Sequence, residues 1–186
     1  SPGGATARGI RAVGTGLFSR DIILLPGAPT IRAVSLGLAG GGGPVVYTGE
    51  IVMDSGDDVQ LIAPNSSSVE FAGYLSGTST PIRIGSHPGY GNRVCLSNPT
   101  NTFTGRIEVG NGCLFVGADA PRGGPGALGA HPVINLNAQT GGVNSPALLT
   151  EGPYTIGQDI DIPSTGFTGL IYLGGAAAGT HTRFTG

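Results

Sequence analysis

The sequence predicts an all-β protein, and three observations support that prediction. There are 36 Gly and 14 Pro among 186 residues, while only 11% of the residues are charged and none is lysine. This composition supplies turns and lacks the Ala, Glu, Lys and Leu mixture of solvated helices. Short segments in which a polar or charged residue separates two apolar ones recur along the chain, and an aromatic-Thr-Gly tripeptide repeats. A helical bundle and a coiled coil are therefore excluded.

The apolar–polar–apolar segments are the clearest predicted strands, because this alternation buries one face of a strand and leaves the other in water. They are residues 59–61, 69–71, 82–84, 107–109 and 160–162. The other predicted strands are residues 21–25, 31–38, 50–53, 94–96, 113–116, 133–136, 170–173 and 182–184. Strand centres recur at steps of roughly ten to twelve residues, which suits either a β-sandwich or a β-solenoid.

The repeated tripeptide favours the solenoid. It occurs as Tyr47-Thr48-Gly49, Phe103-Thr104-Gly105, Phe167-Thr168-Gly169 and Phe184-Thr185-Gly186, and the first three copies run directly into a predicted strand. In a solenoid each coil buries its apolar edge on the next coil, so corner motifs recur, whereas a sandwich does not require them to. We expect the copies to stack on one another and corner glycines to have positive φ. A β-sandwich or jelly roll remains the alternative fold.

Residues 1–186 are predicted to form a single β-solenoid segment. The sequence has no recognisable terminal coil with a polar outer face, which solenoids use to protect their ends. We therefore expect the segment to be part of a longer structure or to assemble end to end. A head-to-tail contact that does not close on itself generates a filament.

A family resemblance is carried by residues 96–118 and continues through residues 125–129. The segment Asn101-Thr102-Phe103-Thr104-Gly105 is followed by a predicted strand, a turn at Gly110-Asn111-Gly112 and a second strand that begins Cys113-Leu114. This pattern resembles the autotransporter-associated β-strand repeat of bacterial surface and secreted proteins, although the repeat favours Thr where Cys113 stands. The resemblance implies a right-handed parallel β-helix of the passenger type, export to the bacterial surface, and usually no catalytic residues.

Two groups of residues are candidate sites. Cys95 and Cys113 are separated by about one coil of a solenoid, so they either form a coil-to-coil disulfide or remain two free, buried thiols. Asp54, Asp57 and Asp58 flank a glycine, and carboxylate oxygens in such a turn are ligands that Ca²⁺ prefers. The alternative for these acids is an ordinary solvated corner, so Ca²⁺ is a weak candidate, and no other cofactor is expected.

Charge and hydropathy exclude several partners. The net charge is −2 and the arginines are scattered, so no basic stripe for nucleic acid is present. The longest run of large aliphatic residues, residues 22–25, is far shorter than the roughly 20 residues of a membrane-spanning helix. The histidines are widely separated, with no acid–His–nucleophile grouping.

The predicted function is therefore structural. We expect a non-catalytic extracellular protein of a bacterium, a β-solenoid building block of a surface fibre, filament or matrix that binds copies of itself head to tail. A surface rich in Thr, Ser, Asn and Gly and free of lysine is typical of exported polymers. The first alternative is an adhesin or passenger module that binds glycans or a host surface. The second is a polysaccharide-active β-helix enzyme.

Overall fold

The computed structural model describes residues 8–26, 33–38, 43–56, 58–63, 67–78, 81–85, 93–110, 112–136, 145–163 and 169–186. Every regular element in these residues is a short strand, and none of them forms a helix that could cross a membrane. The strands are β1 (Arg8–Ala12), β2 (Gly16–Phe18), β3 (Ile22–Leu24), β4 (Ala33–Leu38), β5 (Val45–Tyr47), β6 (Ile51–Met53), β7 (Asp58–Ile62), β8 (Ser68–Phe71), β9 (Leu75–Ser76), β10 (Ile82–Ile84), β11 (Arg93–Leu96), β12 (Ile107–Val109), β13 (Cys113–Val116), β14 (Val133–Leu136), β15 (Ala147–Thr150), β16 (Thr155–Ile156), β17 (Asp159–Asp161), β18 (Tyr172–Gly175) and β19 (Arg183–Phe184).

The strands form two long sheets and a discontinuous third side. Sheet A has the order β1-β4-β7-β10-β12-β14-β17, and sheet B has the order β2-β5-β8-β11-β13-β15-β18. The third side consists of β3-β6-β9 and β16-β19, with an isolated bridge from Ala120 to Ile156. Every pair of adjacent strands in the described residues is parallel. The chain is a parallel β-helix, as predicted, and the antiparallel sandwich is excluded.

One passage of the chain through sheet A, sheet B and the third side is called a rung here, and each long sheet contains seven strands, one per rung. Residues paired across successive rungs form a column. The inward column of sheet A contains only aliphatic residues from the third rung to the last: Val59, Ile82, Ile107, Ile134 and Ile160. The adjacent outward column reads Gln60, Arg83, Glu108, Asn135 and Asp161. The predicted alternation is confirmed.

A column of sheet B forms an aromatic stack inside the solenoid. Phe18, Tyr47 and Phe71 occupy successive rungs, and both neighbouring pairs of rings have centroids 5.1 Å apart. Tyr47 and Phe71 are fully buried, with ring planes inclined by 14°. Offset stacking adds to the burial of these large side chains. The stack fixes the rung-to-rung register at this end of sheet B.

The tripeptide copies do not stack on one another, so that expectation is wrong. Tyr47 ends a strand of sheet B, whereas Phe103 and Phe184 lie on the third side, three rungs apart. Phe167 and Thr168 lie outside the described residues. In two copies the glycine allows the backbones of neighbouring rungs to approach closely. A Cβ on Gly49 would lie 2.3 Å from the carbonyl oxygen of Arg20, and a Cβ on Gly186 would lie 2.2 Å from the carbonyl oxygen of Gln158. Neither Gly49 nor Gly186 has a positive φ, but the corner glycines Gly56, Gly77 and Gly112 do, as expected.

Side-chain oxygens hold the rungs together on the third side, where the sheet is interrupted. Carboxylates of Asp21, Asp54 and Asp119 accept backbone N–H groups from the next rung, those of Glu50, Thr78 and Thr155, at 2.7–2.9 Å. Asn101 is fully buried and bridges two neighbours: its Oδ1 accepts the Leu75 N–H at 2.8 Å, and its Nδ2 donates to the Ala127 carbonyl at 3.1 Å. These bonds satisfy backbone groups that a continuous sheet would otherwise pair.

Candidate functional site

The two ends of the solenoid are the most distinctive surfaces of the described chain. Among the side chains whose burial the structure describes, every exposed large hydrophobic one lies in the first or the last rung, and those described in the five rungs between contribute none. In the first rung they are Ile10, Val13, Leu17, Ile23 and Leu25; in the last rung they are Ile162, Leu170, Tyr172, Leu173 and Phe184. Apolar groups concentrated in a patch mark an interaction surface more often than scattered ones do.

For the inward residues, the cause of this exposure is a missing neighbour in the stack. Leu17, Ile23 and Tyr172 instead lie in outward columns and are exposed on the sides of the end rungs. Interior residues such as Val69, Val94 and Leu114 are covered from both sides by the same column and have at most 1% of their surface exposed. Leu173 belongs to that column but has a neighbour, Leu148, on only one side, and it is 46% exposed. Strands β17, β18 and β19 also have one unpaired edge each, and such edges accept a further strand.

An ion cluster occupies the outward face of sheet A. The guanidinium of Arg83 lies 3.1 Å from the Asp58 carboxylate and 3.6 Å from that of Glu108, and Arg106 also pairs with Glu108. Glu108 is buried by these neighbours although it points away from the core. Both acids are neutralised by arginine, so the cluster links three adjacent rungs and leaves no free carboxylate pair for acid–base chemistry.

The two described members of the weak calcium candidate each have a partner elsewhere in the protein. The Asp54 carboxylate accepts hydrogen bonds from the backbone N–H and the hydroxyl of Thr78, and Asp58 pairs with Arg83. Asp57 lies outside the described residues. In the part of the chain that the structure describes, no three His, Cys, Asp or Glu side chains are grouped so that they could hold a metal.

The two cysteines are both free thiols. They lie on adjacent strands, but Cys113 pairs with Arg93 and Cys95 pairs with Phe115, so the two are offset by two residues. An offset of two residues on neighbouring strands separates the Cα atoms by about 8 Å, beyond the span of a disulfide. Burial, with a further contribution from the Glu70 carboxylate, raises the pKa of the Cys95 thiol to about 12. Burial also raises the pKa of Cys113.

A cleft with several polar groups in its lining opens on the third side near the last rungs, and the sequence did not predict it. Its volume is about 420 Å³, and its lining includes Asp119, Arg122, Thr155 and Thr185. Arg122 pairs with Asp159 at 2.5 Å, while the Asp119 carboxylate accepts the Thr155 N–H at 2.7 Å. Hydroxyl, carboxylate and guanidinium groups around an open cleft are suited to hydrogen bonding with a polar ligand. The residues come from distant parts of the chain, so sequence spacing gave no signal.

Comparison of the chain with protein-family models, with curated proteins and with solved structures found no match.

Proposed function

We propose that this chain is a non-catalytic structural protein, a β-solenoid building block of a bacterial extracellular fibre, filament or matrix. The observation that carries the proposal is the confinement of exposed large hydrophobic side chains to the first and last rungs. Burying such side chains contributes about 1.5–3 kcal/mol each when burial is complete. A second copy stacked on either end would supply that burial together with partners for the open strand edges.

The outward face of sheet A supports the same role. Its outward column consists of polar and charged residues, and the central acid of that column is neutralised by two arginines. A polar face of this kind favours a unit that stays hydrated along sheet A and associates through its ends. A contact between the last rung of one copy and the first rung of another is heterologous. Repeating it adds copies without limit, unless the rotation between successive copies closes a ring.

An extracellular location is part of the proposal. It is supported by the Gly- and Thr-rich, lysine-free composition and by the resemblance of residues 96–118 to the autotransporter-associated repeat. Two free thiols, one of them fully buried, are compatible with an oxidising compartment because a buried thiol of raised pKa is a poor nucleophile.

A second candidate function, glycan binding by an adhesin, rests on the cleft around Asp119 and Arg122. Its volume and its mixture of hydroxyl, carboxylate and guanidinium groups would accommodate a sugar unit. Binding of glycans in an array by the wild-type chain, and its loss in Arg122→Ala, would establish this function. Equal signals for the two proteins would refute a role for the cleft.

Self-association is the decisive test of the structural function. Sedimentation velocity of the purified chain over a wide range of concentrations should show a mass that rises with concentration, and negative-stain microscopy should show unbranched filaments. A chain that sediments as a monomer at every concentration, with no filaments, would overturn the proposal.

A further inference from the structure

Two inward columns of sheet B change size in opposite directions along the solenoid. One column begins with Gly16 in the first rung and ends with Leu173 in the last, through Val45, Val69, Val94, Leu114 and Leu148. The other begins with Phe18 and ends with Gly175, through Tyr47, Phe71, Leu96, Val116 and Thr150. Each column therefore has a large side chain at one end of the molecule and none at the other.

The first rung has a hollow where its small residue lies. A cavity of about 270 Å³ is lined by Ala12, Gly16, Phe18 and Val45 among others, and a Cβ built on Gly16 would have nothing within 4 Å. An apolar cavity of about 150 Å³ already accepts a benzene molecule. The hollow therefore has room for an aliphatic side chain delivered from outside.

The last rung presents a side chain of the matching kind. Leu173 is 46% exposed because no further rung covers it. Two residues along the same strand, a Cβ on Gly175 would lie 2.5 Å from the Cβ of Thr180. Thr180 therefore leaves room only for glycine at position 175. The last rung has no bulky side chain at this position, next to Leu173.

From these reciprocal ends we infer the register of the end-to-end contact, an inference that rests on the proposed self-assembly. The last rung of one copy stacks on the first rung of a second copy, with β18 pairing in parallel with β2 of the second copy. Leu173 then inserts into the hollow at Gly16, and Phe18 covers Gly175. The contact is head to tail, and the columns of sheet B continue across it without a change of register.

Sheet A supports the same register independently. Its second inward column begins at Ile10, which pairs with Leu36, and it reaches Leu136 in the sixth rung. Asn135 pairs with Asp161, so Ile162 follows in line with Leu136. Ile10 is 42% exposed and Ile162 is 46% exposed. Continuation of sheet A places these two half-exposed isoleucines against each other.

The first test compares two aspartate variants of the last rung. In the inferred contact, Leu173→Asp places an unpaired charge against the side chains of Phe18 and Val45, and it should weaken self-association at least about tenfold in sedimentation experiments. The matched control is Leu149→Asp, because Leu149 is half-buried in the outward column of the sixth rung, one rung away from the inferred contact; it should associate within about threefold of wild type. Equal association of Leu173→Asp and wild type would overturn the inferred register and leave the proposed assembly intact.

The second test does not depend on the stability of the end rung. In the double variant Ile10→Cys/Ile162→Cys, the new cysteines are about 29 Å apart within one chain but about 5 Å apart across the inferred contact, so only the latter pair can form a disulfide. Mild oxidation should give a ladder of covalent oligomers on a non-reducing gel. The out-of-register control Ile10→Cys/Leu170→Cys should give none. Assembly of the wild type without a ladder from the first variant would refute the register, whereas a monomeric wild type would refute the proposed function itself.

Discussion

Replacing Asn101 with alanine should destabilise the solenoid more than replacing any other asparagine of the third side. The side chain is fully buried and makes two hydrogen bonds, from the Leu75 N–H and to the Ala127 carbonyl. Asn101→Ala leaves both backbone groups buried without a partner. Each unsatisfied group costs about 1–3 kcal/mol, so the free energy of unfolding should fall by about 2–6 kcal/mol.

The assay combines urea unfolding, followed by far-UV circular dichroism, with hydrogen exchange at the Leu75 amide. Asn98→Ala is the matched control, because Asn98 is half-buried and makes one inter-rung hydrogen bond, to the Ala72 carbonyl at 3.1 Å. Its Oδ1 also accepts two bonds from Thr100, which is exposed and can bond to water instead. It should cost about 0.5–1.5 kcal/mol and leave the Leu75 amide protected. An Asn101→Ala protein that is no less stable than Asn98→Ala, or that keeps the Leu75 amide protected, would refute the role given to Asn101.

Three further predictions concern other features of the stack. Gly73→Ala should lower the urea midpoint strongly, because the added Cβ would lie 1.9 Å from a backbone oxygen of the rung beneath. The control Gly124→Ala should leave the midpoint unchanged, since the atom nearest to its Cβ would be 3.8 Å away. Equal midpoints for the two variants would contradict the close approach at Gly73. The pKa of the Cys95 thiol is raised from 9.0 to about 12 in the folded chain, so the contribution of this neutral thiol to the free energy of unfolding is complete below pH 9 and is lost as the pH rises toward the folded pKa. Between pH 8 and pH 10, the free energy of unfolding should fall by about 1.4 kcal/mol more in the wild type than in Cys95→Ala. If the two proteins lose stability in parallel over this range, the prediction is wrong. Glu108→Gln should cost about 1.5–3 kcal/mol in urea unfolding at low salt, since it removes the charged partner of two arginines, and a variant as stable as wild type would show that the cluster contributes nothing.

Much of the fold could be predicted from local sequence, because in a parallel solenoid every rung repeats the same simple requirement. A polar residue between two aliphatics identifies one wet and one buried face, and all of the segments predicted in this way are strands. The segment Cys113–Val116 was predicted with the bounds that the structure gives. Predictions failed where that alternation is weak: β15, Ala147–Thr150, has two adjacent leucines and no charged residue, and it was missed.

The lateral arrangement of motifs could not be predicted, because rungs differ in length and only pairing in three dimensions shows which residues share a column. The tripeptide copies therefore fall at different corners, and the two cysteines, about one coil apart, are out of register by two residues. The reciprocal columns that begin at Gly16 and Phe18 depend on all six pairings of sheet B. The end surfaces and the cleft at Arg122 likewise depend on the complete stack.

The axial repeat of the assembled protein, measured by cryo-electron microscopy, tests the central claim most directly. Seven rungs spaced at about 4.8 Å give a subunit repeat of about 34 Å when copies stack head to tail with continuous sheets. Filaments with that repeat, and with each subunit pointing in the same direction, are the predicted result. Filaments with twice that repeat, as alternating orientations produce, or particles that never extend beyond one copy would contradict it.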